Sequence, residues 1–439
     1  MKNAVPQTSL TVPLRHVAAV VAGNALEFYD FLTYAFFAVY IGRTFFPSNV
    51  PSASLLASLA TFGAGFVTRP IGAWVIGKMG DRVGRKPAMI LSFSLMGVAI
   101  AGLALTPPRS MIGIAAALLV VFFRVLQGFA LGGEVGPTTA FLIEAAPPGR
   151  QGFYTAFQSW TQNLAILAAG LVGFGLANTL TAQQLQDFGW RIAFLVGAAI
   201  VPVGLLMRRS LPETFHAESV AQGERPSVRP YLGVAVLGVL LIACGTISIY
   251  INGYMTTYAI ATLHMRANVS FAATVVVGLC GVIFNLLSGI LSDRVGRKPM
   301  MVIPGALLLL SILPAFIVIT HYRTPATLLG ATAVLSSLGA FAAVPAIVWL
   351  TESLPKAIRS GSVAIVYAGS VALFGGTAQY VVTWLIKVTG NPLAPAWYWT
   401  AAAIVGLSAA LATRESAPLH TAKRETSSAS LDAIPSDTN

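Results

Sequence analysis

The chain has 439 residues, 56% of them hydrophobic and only 10% charged, with a mean hydropathy of +0.77. An ordinary soluble domain is roughly one quarter charged, so this composition excludes a water-soluble globule and puts most of the chain in lipid. The formal charge of +12 sits largely in the breaks between apolar runs, which reads as membrane topology and not as a nucleic-acid surface.

Residues 1–16 form a short N-terminal segment with no signal-peptide cleavage pattern. Twelve apolar runs follow, each near the roughly 20 residues that cross about 30 Å of hydrocarbon as a helix. They cover 17–43, 54–76, 88–106, 112–139, 153–178, 191–209, 231–261, 270–291, 300–320, 326–350, 362–388 and 394–413. The runs are continuous and lack the alternation and short turns of membrane strands, so the predicted fold class is an all-α polytopic membrane protein. Lys78, Arg82, Arg85, Lys86, Arg150, Arg208, Arg209, Arg294, Arg297, Lys298, Lys356 and Arg359 fall on the same side as the two chain ends. The opposite side holds Arg43, Arg109, Arg191, Arg266, Arg323 and Lys387. This asymmetry predicts a multi-pass protein of the cell inner (plasma) membrane with both termini cytoplasmic.

Helix 1 carries Asn24, Glu27 and Asp30, the two acids one turn apart and roughly on one face. Helix 2 carries Arg69 before Pro70, and helix 4 carries Arg124, Gln127 and Glu134. An ionisable group near the bilayer centre costs about 3 kcal/mol on insertion scales, which makes each one a functional candidate. Helix 1 runs outward and helix 4 inward, so Asp30 and Arg124 are expected to meet near mid-depth, with Glu27 nearer the cytoplasm and Glu134 nearer still. A carboxylate facing an arginine in low dielectric is a two-state device: protonation releases the arginine, and an anion takes the vacated place. Asp30, Glu27 and Glu134 are therefore the proton-coupling candidates. The alternative is an ion pair that merely ties helices 1 and 4 together.

Helix 5 presents Gln158, Ser159, Gln162 and Asn163, amides that would be costly against lipid and so face a cavity or another helix. In helix 7, Tyr250, Tyr254 and Tyr258 form a one-face stripe with Asn252 offset. Their hydroxyls suit carboxylate oxygens, while an interfacial belt or helix packing is the competing reading, Tyr258 being nearest the outer surface. Tyr367 in helix 11 joins the substrate-binding candidates; Asn285, Gln379 and Tyr380 rank below it. An anionic ligand also needs a cation, and the central cavity is expected to offer Arg124 first and Arg69 second.

A ten-residue stretch occurs twice, Gly77-Lys-Met-Gly-Asp81-Arg82-Val-Gly84-Arg85-Lys86 and Gly289-Ile-Leu-Ser-Asp293-Arg294-Val-Gly296-Arg297-Lys298, 212 residues apart. Such a spacing marks a duplicated unit of two halves rather than a solenoid. The expected organisation is a six-helix bundle over 17–209, a polar linker over 210–230, a second pseudo-symmetric bundle over 231–413 and a disordered cytoplasmic tail over 414–439. A second echo, Glu144 to Pro147 after helix 4 and Glu352 to Pro355 after helix 10, falls at equivalent points. In each copy the glycine lets two helices approach. The aspartate at the helix end can accept hydrogen bonds from a neighbouring helix N-terminus or an arginine, a contact made when the cytoplasmic side is shut. Gly77, Asp81, Arg82, Arg85 and Glu144, with Gly289, Asp293, Arg294, Arg297 and Glu352, are thus candidates for a cytoplasmic gate. For the basic members, topology alone is the alternative.

The twin loops, the twelve helices and Pro212-Glu213-Thr214 after helix 6 resemble the major facilitator superfamily over residues 15–413. Gly23-Asn24-Ala-Leu-Glu27-Phe-Tyr-Asp30-Phe, Arg69-Pro70-Ile-Gly-Ala, Arg124-Val-Leu-Gln127-Gly128-Phe and Gly133-Glu134 resemble its metabolite:proton symporter branch. Helix 5 is most similar to that branch's citrate and tricarballylate members. The resemblance implies proton-coupled uptake of a small carboxylate by rocking of two halves about a midplane site. Other substrates (2-oxoglutarate, shikimate, a zwitterionic osmolyte), export or exchange by the same fold, and a membrane sensor are the alternatives. No enzyme is expected, for there is no His-Glu-x-x-His or Gly-x-Ser-x-Gly, and Gly63-Ala-Gly65 and Gly173-Phe-Gly175 lie in helical runs. Cys244 and Cys280 have no His or acidic neighbours at metal-ligand spacing. The expected partners are a carboxylate, a proton and membrane lipid, with no cofactor, no metal and no nucleic acid, and the chain is expected to act as a monomer.

Overall fold

The computed structural model describes residues 25, 28–29, 31–83, 85–132, 146–147, 149–209 and 229–417. They form α1 (31–45), α2 (Pro51–Met79), α3 (Pro87–Leu105), α4 (Ile114–Leu131), α5 (Gln151–Thr179) and α6 (Trp190–Arg209). The second half supplies α7 (Leu232–Ala261), α8 (Ala267–Val295), α9 (Arg297–Tyr322), α10 (Pro325–Glu352), α11 (Ile365–Thr389) and α12 (Ala394–Ala412). Among the described residues ten helices are long and apolar enough to cross a bilayer, and the chain is a multi-pass membrane protein.

Local chemistry sets the helix ends. Pro51 and Pro325 occupy first-turn positions, where a missing N–H removes no intrahelical bond. Thr324 and Thr327 cap α10 reciprocally, each side-chain oxygen accepting the other's backbone N–H at 3.2 Å. Between α8 and α9, Gly296 takes φ +112°, a conformation an L side chain resists. The chain therefore turns sharply enough for Arg297 to start a new helix, which is why the repeated motif places a glycine there. Within α2 the regular pattern breaks at Thr68, whose hydroxyl donates to the Val125 carbonyl of α4 at 2.8 Å. Arg69 begins the second segment of α2 directly after this tie.

The helices pack as two groups, α1–α6 and α7–α12. In the first, α3 lies on α4 and α6, and α2 on α4; in the second, α10 contacts α8 and α9, and α12 contacts α7 and α9. The seam between the groups is made by α5 against α8 and α2 against α11. Close approach depends on absent side chains. A Cβ on Gly152 of α5 would stand 2.7 Å from the Gly289 carbonyl of α8, and one on Gly128 of α4 would stand 1.6 Å from the Gly65 carbonyl of α2. In a bilayer, where burial of apolar surface favours no particular partner, such backbone proximity is what makes dispersion strong enough to hold helices together.

Two expectations change. α8 runs over Ala267–Val295, longer than the apolar run 270–291, because its last turns carry the polar motif. Residues 414–417, assigned to a disordered tail, are docked: they follow α12 as a strap, described below, and 418–439 lie outside the described residues. Of the linker, 210–228 lies outside them as well.

Candidate functional site

A polar chamber opens on the seam between the two groups. From the first group come Arg69 of α2 and Ser159, Gln162 and Asn163 of α5; from the second come Tyr250 and Asn252 of α7, Asn285 of α8, Ser336 of α10 and Tyr367 of α11. Its walls are internally tied. Ser336 donates to the Asn252 Oδ1 at 3.0 Å, and Asn252 in turn donates to the Ser248 carbonyl at 3.1 Å. Asn163 and Asn285 each donate to the carbonyl one turn back, at 2.9 and 2.7 Å. Each asparagine thereby commits one amide N–H to its own helix, and its amide oxygen faces a neighbour, as Asn252 does with Ser336, or a ligand.

Two arginines lie here, both buried, and Phe31 separates them. The Arg69 guanidinium stands 4.3 Å from the Phe31 ring centre and 4.1 Å from that of Phe66. Arg124 stands 4.3 Å from the same Phe31 ring, 4.4 Å from Tyr34 and 5.0 Å from Phe62. Aromatic faces attract a desolvated cation, which lets both charges stay inside. Gln127 accepts a bond from Arg124 Nη1 at 2.5 Å. The electrostatic neighbours of Arg69 are the Tyr250 and Tyr367 hydroxyls, Tyr250 within hydrogen-bonding reach. Among the described residues the Nε and Nη2 of both arginines have no hydrogen-bond partner. Donors buried in that state are costly, and Arg69, which lines the chamber, has a free fork to offer an anion there.

The expected order of the two cations is reversed. Arg69 lines the chamber, whereas Arg124 is fully buried behind Phe31 and Tyr34. Tyr254 is also displaced from the site: its hydroxyl accepts a bond from Thr383 at 2.8 Å inside the second group. Tyr258 is buried as well, donating to the Pro392 carbonyl at 2.7 Å, so helix packing and not an interfacial belt holds it. Gln379 donates to the Tyr250 carbonyl, and Tyr380 is exposed. Gln158 lies one turn from the chamber, in an adjoining cavity. Asn24, Glu27, Asp30 and Glu134 lie outside the described residues. Residue-by-residue reading missed Ser248 and Ser336, single hydroxyls in apolar runs, and Phe31, whose part emerges only when α1, α2 and α4 converge.

At the end of the molecule where α5 begins and α8 ends, the second motif copy ties the groups together. Asp293 accepts the Gly152 and Phe153 N–H groups, the free donors at the start of α5, at 2.8 and 2.9 Å. Arg297 bonds Asp293 at 2.7 Å and grips Glu352 of α10 through Nη2 at 2.8 Å and Nε at 3.2 Å. The strap then completes the cluster. Glu415 accepts the Arg297 and Lys298 N–H groups at 2.8 and 2.9 Å, Ser416 donates to Glu352 at 2.7 Å, and Trp349 donates to the Arg414 carbonyl at 2.9 Å. Burial pushes the Glu415 carboxyl up, but the N–H groups of Arg297, Ala417, Lys298 and Ser416 outweigh it and hold it below the usual carboxylate range. Arg294 is exposed on the outer side of the turn. Among the described residues no atom lies within 4 Å of where a Cβ on Gly77 would be. The side chains of Asp81, Arg82 and Arg85, and all of Glu144, lie outside the description.

Residues 16–225 match the family described as sugar (and other) transporter, and residues 241–435 match the major facilitator superfamily. The chain is 35% identical to a citrate-proton symporter of Salmonella typhi, covering 93% of this chain and 96% of that protein. It is 33% identical to an alpha-ketoglutarate permease of Escherichia coli (strain K12), covering 90% and 93%. Its fold matches the crystal structure of a D-xylose-proton symporter with a TM-score of 0.75 at 20% identity, over 91% of this chain and 96% of that one. With a charged loop duplicated across two six-helix groups, a polar chamber on their seam and these relatives along nearly its whole length, the chain belongs to the major facilitator superfamily.

Proposed function

We propose that the protein is a secondary active transporter that takes up a small carboxylate together with protons by alternating access. The observation that carries this reading is Arg69, a buried cation with unpaired donors facing a chamber built from both halves. A carboxylate entering the chamber meets the Arg69 fork, with Tyr250, Tyr367 and Gln162 around it. The relatives named as citrate-proton symporter and alpha-ketoglutarate permease support a carboxylate substrate and proton coupling. Asp30, Glu27 and Glu134 remain the proton carriers of this proposal, since protonating an acid near Arg124 compensates the anion that arrives. By the positive-inside rule the Asp293–Arg297–Glu352 cluster lies at the cytoplasmic face, with both termini on that side. It closes that face while the chamber loads, and one chain suffices for the cycle.

The test is uptake of labelled citrate, tricarballylate and 2-oxoglutarate into vesicles under an imposed pH gradient, with and without a protonophore. Accumulation of one carboxylate that the protonophore abolishes is the expected result. Equilibration indifferent to the gradient would remove the coupling, and no carboxylate accumulation would favour an osmolyte or export.

A further inference from the structure

Beside the polar chamber, and sharing Ser159, Gln162, Thr246, Ser248 and Tyr367 with it, lies a second cavity walled mostly by helices of the α7–α12 group and closed on one side by α5. It is the larger of the two, about 100 Å³ against about 70 Å³. Its far walls are hydrocarbon or small: Leu241 and Gly245 of α7, Met301 of α9, Ile347 of α10 and Leu407 of α12. No Lys, Arg, His, Asp or Glu lines it, and Arg69 is the one cation lining the chamber among the described residues. Across the two adjoining cavities the lining is thus cationic and hydrogen-bonding on one side and apolar on the other. A trianion lying across it would set carboxylates against alkyl walls with nothing to replace their water.

We infer that the annex receives the hydrocarbon body of the substrate, so that the preferred ligand is an amphiphilic carboxylate, its carboxylate on Arg69 and its alkyl or aryl part in the annex. This rests on the carboxylate reading above and narrows it. Each methylene that moves from water into the annex should tighten binding about fourfold. Two glycines allow the annex to be filled without displacing backbone: among the described residues a Cβ on Gly245 meets no atom within 4 Å, and one on Gly305 meets Leu407 alone, at 3.8 Å.

The experiment titrates the purified full chain in nanodiscs with acetate, butanoate, hexanoate, phenylacetate and citrate by calorimetry. In parallel, alkylation of Cys244, which lines the annex, by N-ethylmaleimide is followed in a Cys280→Ser background. Expected are an affinity that climbs about fourfold per methylene, phenylacetate binding at least tenfold tighter than citrate, protection of Cys244 by hexanoate but not by acetate, and a flattened series in Gly245→Leu. Gly305→Val gives the same flattening should Gly245→Leu fail to fold. A slope that survives both filling variants overturns the inference, as does citrate binding tighter than every alkanoate. Protection by hexanol equal to that by hexanoate also overturns it, because the occupant would then be any bilayer hydrocarbon. Proton-driven citrate uptake without the alkanoate slope sinks this inference and leaves the proposed function standing. The slope without proton coupling does the reverse, and no binding by any carboxylate sinks both.

Discussion

Asp293→Asn should unlatch the gate while leaving the fold intact. The carboxylate accepts two backbone N–H groups from the start of α5, at 2.8 and 2.9 Å, and within the Asp293–Arg297–Glu352 cluster, among the described residues, these are the bonds that cross from one half to the other. Arg297 belongs to the same half as Asp293 and keeps Glu352 at 2.8 Å, so its own anchoring survives the change. Asparagine retains one acceptor oxygen and no charge. One charge-assisted bond, worth about 1.5–3 kcal/mol net, is therefore lost, and the attraction of a full negative charge for a helix N-terminus, about 0.3–1 kcal/mol, goes with it. The sum, about 2–4 kcal/mol, moves the closed-to-open ratio of this face roughly 30- to 900-fold. Both partners are largely buried, with side-chain exposures of 8% for Asp293 and 1% for Arg297, so solvent screening does not erase the effect. Spin labels at the exposed Arg150 and Val295 report the separation directly. A longer, broader distance distribution in Asp293→Asn is expected. An unchanged distribution would show that the contact does not hold the halves together.

Gly128→Ala would drive a methyl to 1.6 Å from the Gly65 carbonyl and should destabilise the α2–α4 packing by about 3 kcal/mol or more, read as a lowered melting temperature in detergent; a native melting point would refute the close approach. Arg69→Lys keeps the charge but loses the fork and should raise the Kd for the carboxylate about 10- to 100-fold. Arg124→Lys should cost less, since Arg124 does not line the chamber, and the reverse order in calorimetry would restore Arg124 as the primary cation. For Glu415 the depressed carboxyl fixes the sign: its contribution to strap docking is whole above the usual carboxylate value and drains away as pH falls through the lower, docked-state value. Hydrogen-exchange protection of the 415–417 amides should therefore collapse in acid, and Glu415→Gln should show weakened protection already at pH 7.

Legibility in the sequence followed the range of the physics. Membrane-length apolar runs, cation asymmetry and a duplicated loop are properties of contiguous residues, so the twelve-helix plan and its two halves could be read directly. The hydrogen-bond partners of Asp293 were similarly accessible, because an acid at a helix end needs donors and a nearby helix start supplies them. The strap was hidden. Its residues look like any polar tail until Gly296 exposes the first N–H groups of α9 to Glu415.

The hydrophobic pattern thus specified on its own that the chain is an all-helical, multi-pass membrane protein, because insertion energetics act on each segment alone. Which arginine faces the chamber depended on three-dimensional packing. Helices α1, α2 and α4 converge through glycine contacts and place one phenylalanine ring between two guanidinium groups, leaving Arg69 at the wall and Arg124 behind it. Depth along a helix is written in residue number, but orientation about its axis is settled by neighbours far away in the chain.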